Sequence, residues 1–441
     1  MELTEQSLKL LKDYYMKEGE TDPSESFKRA GNAFSGGDKQ LAKRIYSYID
    51  KGWFMFSSPI LSNAPEINKT PKGLPISCFL GFVPDSLKGL IEHTSELRWL
   101  SVKGGGVGGH WSSVRSVSDV APGPIPFLHT VDSDMTAYKQ GVTRKGSYAA
   151  YMDISHPDIM EFMSLRIPTG DVNRKCLNIH HGVNVPDSFM DAVKDDLVWE
   201  LVDPKTGEQT DTLMARELWE TLLETRYRTG EPYIYFIDTA NDAYPQTQKD
   251  LGLISRGSNL CAEITLPTNE ERTAVCCLSS LNLETYDEWK DSNLVKDLTT
   301  FLDNVVQYFI DNAPNEISKA RYSATRERSI GIGAMGFHNL LMKNSIPFES
   351  QGAAELNEEI FQYIQSEAIE QSLILGDERG ECLDMIGTGR RNANLIAIAP
   401  NANSSSIAGT SPSVEPIKAN AFVHRTRAGS HLIKNKCLEK Y

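Results

Sequence analysis

The amino-acid sequence predicts an α/β protein in which buried parallel strands alternate with amphipathic helices, behind a helical N-terminal cap. Three wholly apolar runs carry the strand half of that expectation: Cys78-Phe79-Leu80-Gly81-Phe82, Tyr233-Ile234-Tyr235-Phe236 and Leu395-Ile396-Ala397-Ile398-Ala399. None alternates polar with apolar residues, so each reads as a strand covered on both faces. Helix-length stretches with apolar residues three and four apart lie between them, and strands separated by helices tend to pair in parallel.

Taken in order, the stretch up to Trp53 places Leu8, Leu10, Leu11, Tyr14 and Tyr15 on one side of a helical pattern and reads as a cap over residues 1–53. From Asp85 the spacing Leu87, Leu90, Ile91, Leu97, Leu100 predicts an amphipathic helix that stops at Gly104-Gly105-Gly106. Further helices are expected over Met214 to Tyr227, Leu294 to Phe309 and Leu356 to Ile374. With no repeat and no linker-like tract, residues 54–441 read as one continuous domain.

Composition narrows the function classes. The sequence has no run of eighteen apolar residues, and its first twenty mix acidic and basic side chains without an apolar signal core, so the expected place is the cytoplasm. Lys and Arg number 45 against 59 Asp and Glu, a net charge of −14, which argues against a protein that coats nucleic acid. Seven cysteines, at 78, 176, 261, 276, 277, 382 and 437, form no C-x-x-C pair, so neither a disulfide framework nor a zinc ribbon is expected. Buried packing or thiol chemistry remains.

The most informative segment is Arg256-Gly257-Ser258-Asn259-Leu260-Cys261-Ala262-Glu263-Ile264. Asn259, Cys261 and Glu263 fall at alternate positions, so in an extended segment their side chains project the same way. A thiol flanked by an amide and a carboxylate can remove a hydrogen atom once it has been oxidised to a radical. Glu263 would then move a proton and Asn259 would hold the substrate.

This segment resembles the finger loop of ribonucleotide reductase large subunits of phage-like class I, whose core reads N-L-C-x-E-I. Ile76-Ser77-Cys78-Phe79-Leu80 resembles the segment that supplies the first redox cysteine. Ala274-Val275-Cys276-Cys277-Leu278-Ser279-Ser280-Leu281-Asn282 resembles the strand that supplies the second, with Cys276 as partner and Cys277 as neighbour. The run after Ala399, with Pro400, Asn401, Ala402, Asn403, Ser404 and Ser405, resembles the loop for the substrate's phosphates, although the family usually has Thr or Ser where this chain has Asn403. Such a turn leading into a helix offers backbone N–H groups to an anion. Ser58-Pro59-Ile60-Leu61 resembles the segment whose hydroxyl borders the phosphate. The run Gly104 to Gly109, with Gly106, resembles the family's close-packed turn beside the ribose, and Ser77 is expected among the substrate-binding residues.

The resemblance implies that a substrate hydroxyl leaves as water while Cys78 and Cys276 close to a disulfide and supply the two electrons. It implies a deoxynucleoside triphosphate effector at Asp85-Ser86-Leu87 and Arg115, with Gln140 to Gly146, including Arg144, as the loop linking effector to substrate. Asp153 to Asp158 and Arg328 to Gly336 match family patterns and read as scaffold, with His156 a structural histidine rather than a metal ligand. The implied fold is a ten-stranded α/β barrel with the N-terminal cap, whose C-terminal part is missing.

No cofactor or metal is expected on this chain. The radical would come from a di-metal small subunit, and the disulfide would be reset by thioredoxin or glutaredoxin. A homodimer of catalytic units is expected. No ATP-cone segment precedes residue 50, and the paired tyrosine and two-cysteine tail that follow this position in the family are not found before Tyr441, so a second polypeptide supplying the remainder is expected. Rival readings keep the fold with adenosylcobalamin as radical source, or make the chain a non-catalytic nucleotide-binding regulator. A glycyl-radical enzyme lacks support, because no R-V-x-G-[YF] signature is present.

Overall fold

The computed structural model describes residues 3–66, 73–140, 144–426, 429–435 and 437. Along the chain come helices α1 (Glu5–Tyr14), α2 (Pro23–Ala33) and α3 (Lys39–Asp50), then strands β1 (Phe54–Phe56) and β2 (Cys78–Phe82). Helix α4 (Leu87–Lys103) leads to β3 (Gly106–His110), β4 (Tyr148–Asp153), β5 (His180–Val185), β6 (Tyr233–Phe236), β7 (Ala274–Cys276) and β8 (Leu278–Asn282). Helices α5 (Leu294–Asn312) and α6 (Ser318–Glu327), strand β9 (Gly331–Met335), and helices α7 (Gln351–Arg379) and α8 (Ala402–Ala408) follow.

The chain divides into two compact units. One comprises Lys72–Cys276 with Phe309–Glu327. Its six-stranded sheet has the order β6-β5-β4-β3-β2-β7, with the first five strands parallel and β7 antiparallel to β2. The central strands are apolar because both faces are covered: Tyr148, Ala149, Ala150, Tyr151 and Met152 of β4 are all 0% exposed. Helix α4 starts where the Ser86 side chain accepts the Gly89 N–H, and it stops at Gly104, whose φ of 102° suits glycine.

The other unit comprises Met1–Pro71, Cys277–Tyr308 and Arg328–Tyr441. Its sheet has the order β1-β8-β9, with β1 antiparallel and β9 parallel to β8. The cap helices form for local reasons, clearest in α2, where Asp22 and Glu25 make a capping box and Pro23 takes the first turn.

The described strands form sheets of six and three beside short two-stranded pairs, with no closed ring among them. One expectation needs correcting. Leu395 to Ala399 is not a strand but a single bridge between Ile396 and Ile332. Two backbone bonds with Ile332 form, through the Leu395 carbonyl and the Ala397 N–H, and the Ala334 carbonyl further along β9 is met by the Asn401 side chain instead of a ladder N–H.

Candidate active site

The Asn259 to Glu263 segment is a turn, not the extended segment that alternate spacing suggested. The Asn259 carbonyl accepts the Ala262 N–H at 3.2 Å, and Ala262 has φ 62°. Asn259 Oδ1 accepts the N–H groups of Glu263 and Ile264 at 3.1 and 3.2 Å. The asparagine side chain therefore replaces a ladder partner with a local turn. Cys261 is exposed on this turn, while Asn259 is fully buried.

Glycines in β3 let the turn approach. A Cβ on Gly108 would lie 2.1 Å from the Ser258 carbonyl oxygen, and one on Gly106 would lie 2.8 Å from a Leu260 methyl and 3.7 Å from Cys78 Sγ. The intervening side faces elsewhere: a Cβ on Gly109 would meet the Tyr148 hydroxyl. The Tyr151 hydroxyl donates to the Asn259 carbonyl at 2.9 Å, Ser258 Oγ to the Ile264 carbonyl at 2.6 Å, and Asn184 Nδ2 to the Arg256 carbonyl at 2.9 Å. Packing and hydrogen bonds thus hold the turn from both of its ends.

Three polar atoms here are buried without a hydrogen-bond partner: Asn259 Nδ2, Glu263 Oε2 and Ser77 Oγ. Such groups cost stability unless a polar partner meets them, so each can take a polar atom of a ligand. Burial, followed by the neighbouring Cys78, pushes the Glu263 carboxyl up to about 8, opposed by the adjacent Asn259 side chain. At neutral pH it therefore holds a proton that it can give. Tyr233, raised to about 12 mainly by burial and by Glu231, also feels the Cys261 thiol.

The antiparallel pairing of β7 with β2 sets Cys276 directly opposite Cys78. Opposed Cα atoms in such a pair are about 4.5 to 5.5 Å apart, inside the range a disulfide spans. The side chain of Cys277 goes elsewhere, with Sγ 3.8 Å from the Leu302 carbonyl, and burial holds its thiol well above the usual range.

The serine-rich segment lies in the other unit. Asn401, at φ 57°, precedes α8, which has no side-chain cap at its N-terminus. Asn401 Nδ2 donates to the Ala334 and Ala399 carbonyls, and its Oδ1 accepts from Ser280 Oγ. Ser404 Oγ donates to the Phe56 carbonyl at 3.2 Å and Ser405 Oγ to the Ala402 carbonyl at 3.3 Å. Asn403 Nδ2 donates to the Tyr15 hydroxyl at 2.9 Å, which is 2.7 Å from Ser58 Oγ. Pro400 and Ala402 are exposed.

The expected effector residues are partly gathered. Asp85 receives the Arg115 Nε at 3.0 Å on each oxygen, Ser86 caps α4, and Leu87 is exposed. Gln140 and Arg144 pair across a short antiparallel hairpin, and residues 141–143 between them lie outside the described residues, as does Tyr441. His156 is buried, with Nε2 2.8 Å from the Val114 carbonyl and Nδ1 3.0 Å from the Asp158 N–H. Among the described residues no group of three or more His, Cys, Asp or Glu could hold a metal, and no helix is long and apolar enough to cross a membrane.

Comparison with known families settles what kind of chain carries these cysteines. The description "Ribonucleotide reductase, barrel domain" matches residues 76–388 and 383–441, and "Ribonucleotide reductase, all-alpha domain" matches residues 1–66. The chain belongs to the ribonucleotide reductase large-subunit family. It is 54% identical over 441 residues to a Frog virus 3 (isolate Goorha) protein named as a ribonucleoside-diphosphate reductase large subunit, covering 99% of this chain and 76% of the relative. It is 45% identical over 489 residues to the large subunit of Invertebrate iridescent virus 3, covering 98% of this chain and 77% of the relative. Among solved structures, the alpha subunit of the Actinobacillus ureae class Id ribonucleotide reductase matches with a TM-score of 0.85 and 33% identity, over 99% of this chain and 78% of that one. The fold is thus that of a reductase alpha subunit, with a barrel domain and an N-terminal helical domain.

The reaction is that of a ribonucleoside-diphosphate reductase, an oxidoreductase that makes deoxyribonucleotides from ribonucleotides. A large subunit works with a small subunit and as part of an oligomer. Sequence reasoning gave no site role to Tyr151 or Tyr15 and read Gly108 only as part of the glycine run. A signal for Gly108 was present, since Gly106 and Gly108 are two apart and so face the same way in a strand.

Proposed function

We propose that Cys261, as a thiyl radical, takes a hydrogen atom from the substrate ribose while Glu263 protonates the departing hydroxyl and Asn259 Nδ2 holds the sugar. The C–O bond breaks and the hydroxyl leaves as water. Cys78 and Cys276 close to a disulfide and supply the two electrons, one thiol hydrogen forming the new C–H bond at that carbon and the other replacing the proton that Glu263 gave, and Cys261 returns the hydrogen atom it took. Ser77 and Gly106 border the ribose. Ser58, Pro400, Asn401, Ala402, Asn403, Ser404 and Ser405 bind the phosphates, mainly through main-chain N–H groups. The observation that carries the reading is the opposed pair Cys78 and Cys276 beside the unsatisfied Glu263 and Asn259. Residues 1–53 act as the cap and 54–441 as the catalytic part.

This chain binds no cofactor of its own in this reading. The radical comes from a di-metal small subunit, which the class Id neighbour favours over adenosylcobalamin. A deoxynucleoside triphosphate binds at Asp85, Ser86, Leu87 and Arg115 and acts through the Gln140 and Arg144 hairpin. The exposed stripe Leu87, Ile91, Trp99 and Val102 on α4, at helical spacing, supports a homodimer contact there. Thioredoxin or glutaredoxin resets the disulfide, and the cytoplasm is the place of action.

The deciding experiment quantifies deoxynucleotide formed from each ribonucleoside diphosphate. The chain is assayed with a small subunit and dithiothreitol, with and without a polypeptide spanning the part of the frog-virus relative that it does not cover. Product that needs the small subunit, ignores added cobalamin and changes base preference with each effector supports the reading. Cobalamin-dependent product would transfer the chain to the rival class. No product with every component present, despite nucleotide binding, would favour a regulatory subunit.

A further inference from the structure

We propose that Glu96 is a positioning residue for the redox pair: its carboxylate, by holding the Thr273 hydroxyl, fixes the edge strand that carries Cys276. This rests on the reading of Cys78 and Cys276 as that pair. Strand β7 is three residues long and is the last strand of its sheet, bonded on one side to β2. So short an edge strand gains little from its own ladder and needs fastening.

Two fasteners act at Thr273, the residue before β7. Its N–H reaches the Lys319 carbonyl of α6 at 3.5 Å, a long contact, and its Oγ1 donates to Glu96 Oε2 of α4 at 2.9 Å. The second is the stronger because the acceptor is a carboxylate. Its setting is specific: Glu96 Oε1 is buried without a hydrogen-bond partner, so within the described hydrogen bonds this carboxylate serves the Thr273 hydroxyl. A buried carboxylate with so little to hold is costly, and a nonspecific core position would be filled more cheaply by an apolar residue.

The charged groups around it are Lys319 of α6 and, on α4 itself, Glu92 one turn back; His93 beside it also feels Lys319. Arg272, next to Thr273, turns to the Tyr322 ring, 5.6 Å from its centre. Burial pushes Glu96 up to about 7, opposed by the Thr273 hydrogen bond and by Lys319 and assisted by Glu92. Above that pH the clamp has a charged acceptor, and below it a neutral one. The hold on Cys276 therefore tightens as pH rises through neutrality.

The test follows closure of the disulfide in the full chain with oxidised dithiothreitol from pH 6 to 8.5, the linkage being mapped by alkylation and peptide mass. Glu96→Ala and Thr273→Val should each slow Cys78–Cys276 closure about tenfold at pH 8, the scale of one hydrogen bond to a charged group. The double variant should be no slower than either, since both remove one contact. Glu96→Gln keeps a neutral acceptor. The ratio of wild-type to Glu96→Gln rates should rise from about one at pH 6 to about threefold at pH 8.5, and using a ratio cancels the thiols' own titration. Should Glu96→Ala fail to fold, Thr273→Val and Glu96→Gln decide alone. Unchanged closure in Thr273→Val, or a flat ratio, overturns the role of Glu96. A wild-type chain that closes a different cysteine pair overturns the redox reading instead.

Discussion

The finger turn and the segment before α8 are each organised by one asparagine, yet they leave different atoms over. Asn259 commits Oδ1 to two N–H groups and keeps Nδ2 without a partner, and Glu263 Oε2 and Ser77 Oγ are left in the same state. Asn401 has partners at both side-chain atoms, and the side chains of Asn403, Ser404 and Ser405 are bonded too. Equally polar sequences thus serve opposite ends. The first turn leaves polar side-chain atoms over, and the second uses its side chains to shape a main chain. Substitution should therefore remove chemistry in one place and structure in the other.

The largest effect expected is at the tip of the first turn. Cys261→Ser should lower product formation by at least about a thousandfold, because an alcohol O–H is too strong a bond to relay the hydrogen atom. Nucleotide binding, followed by equilibrium dialysis, should be unchanged. Turnover by the serine variant with all partners present would break the contrast at its strongest point.

Next comes the pair behind it. After one turnover without external reductant, alkylation and peptide mapping should find Cys78 joined to Cys276 with Cys277 still a thiol. A link from Cys78 to Cys277 would put the register of β7 wrong by one residue, which reverses the face of every side chain.

Glu263 gives the third effect and a pH signature. Its carboxyl is raised to about 8, so the protonated donor is present below that pH and is lost as pH rises through it. The rate should accordingly fall on the alkaline side with a midpoint near 8. Glu263→Gln should be slower by about a hundredfold, the scale of one positioned proton donor, and should show no such limb. An alkaline limb that survives in the glutamine variant would assign it to another group.

Much of this was legible beforehand, and for identifiable reasons. β2 and β6 run from Cys78 to Phe82 and from Tyr233 to Phe236, the bounds read from their apolar character; β2 is an inner strand with nearly every residue buried, whereas β6 is an end strand whose Phe236 is exposed. Helix α4 was legible from its spacing and its terminal glycine. The finger turn was misread as extended because alternate spacing carries no information about a side chain that caps its own backbone. Leu395 to Ala399 was misread because apolar character shows burial but not a pairing partner. Tyr151 and Tyr15 were invisible, since each acts on a loop far from it in sequence, and only the fold brings a phenol to the Asn259 carbonyl or to Asn403.

The smallest effects should come from the second segment, and they should differ in kind. Ser404 is buried and donates to the Phe56 carbonyl, so Ser404→Ala removes one hydrogen bond from the interior and should cost about 1 kcal/mol of stability. Chemical denaturation would measure it. Asn403 is exposed, and its amide reaches only the Tyr15 hydroxyl, so Asn403→Ala should cost less still. If the phosphates are held by main-chain N–H groups, both variants should raise KM by less than about threefold and leave kcat alone, because the groups that meet the anion remain. A drop in kcat at either position, with stability unchanged, would mean that these side chains reach the substrate after all, and the distinction between the two turns would fail.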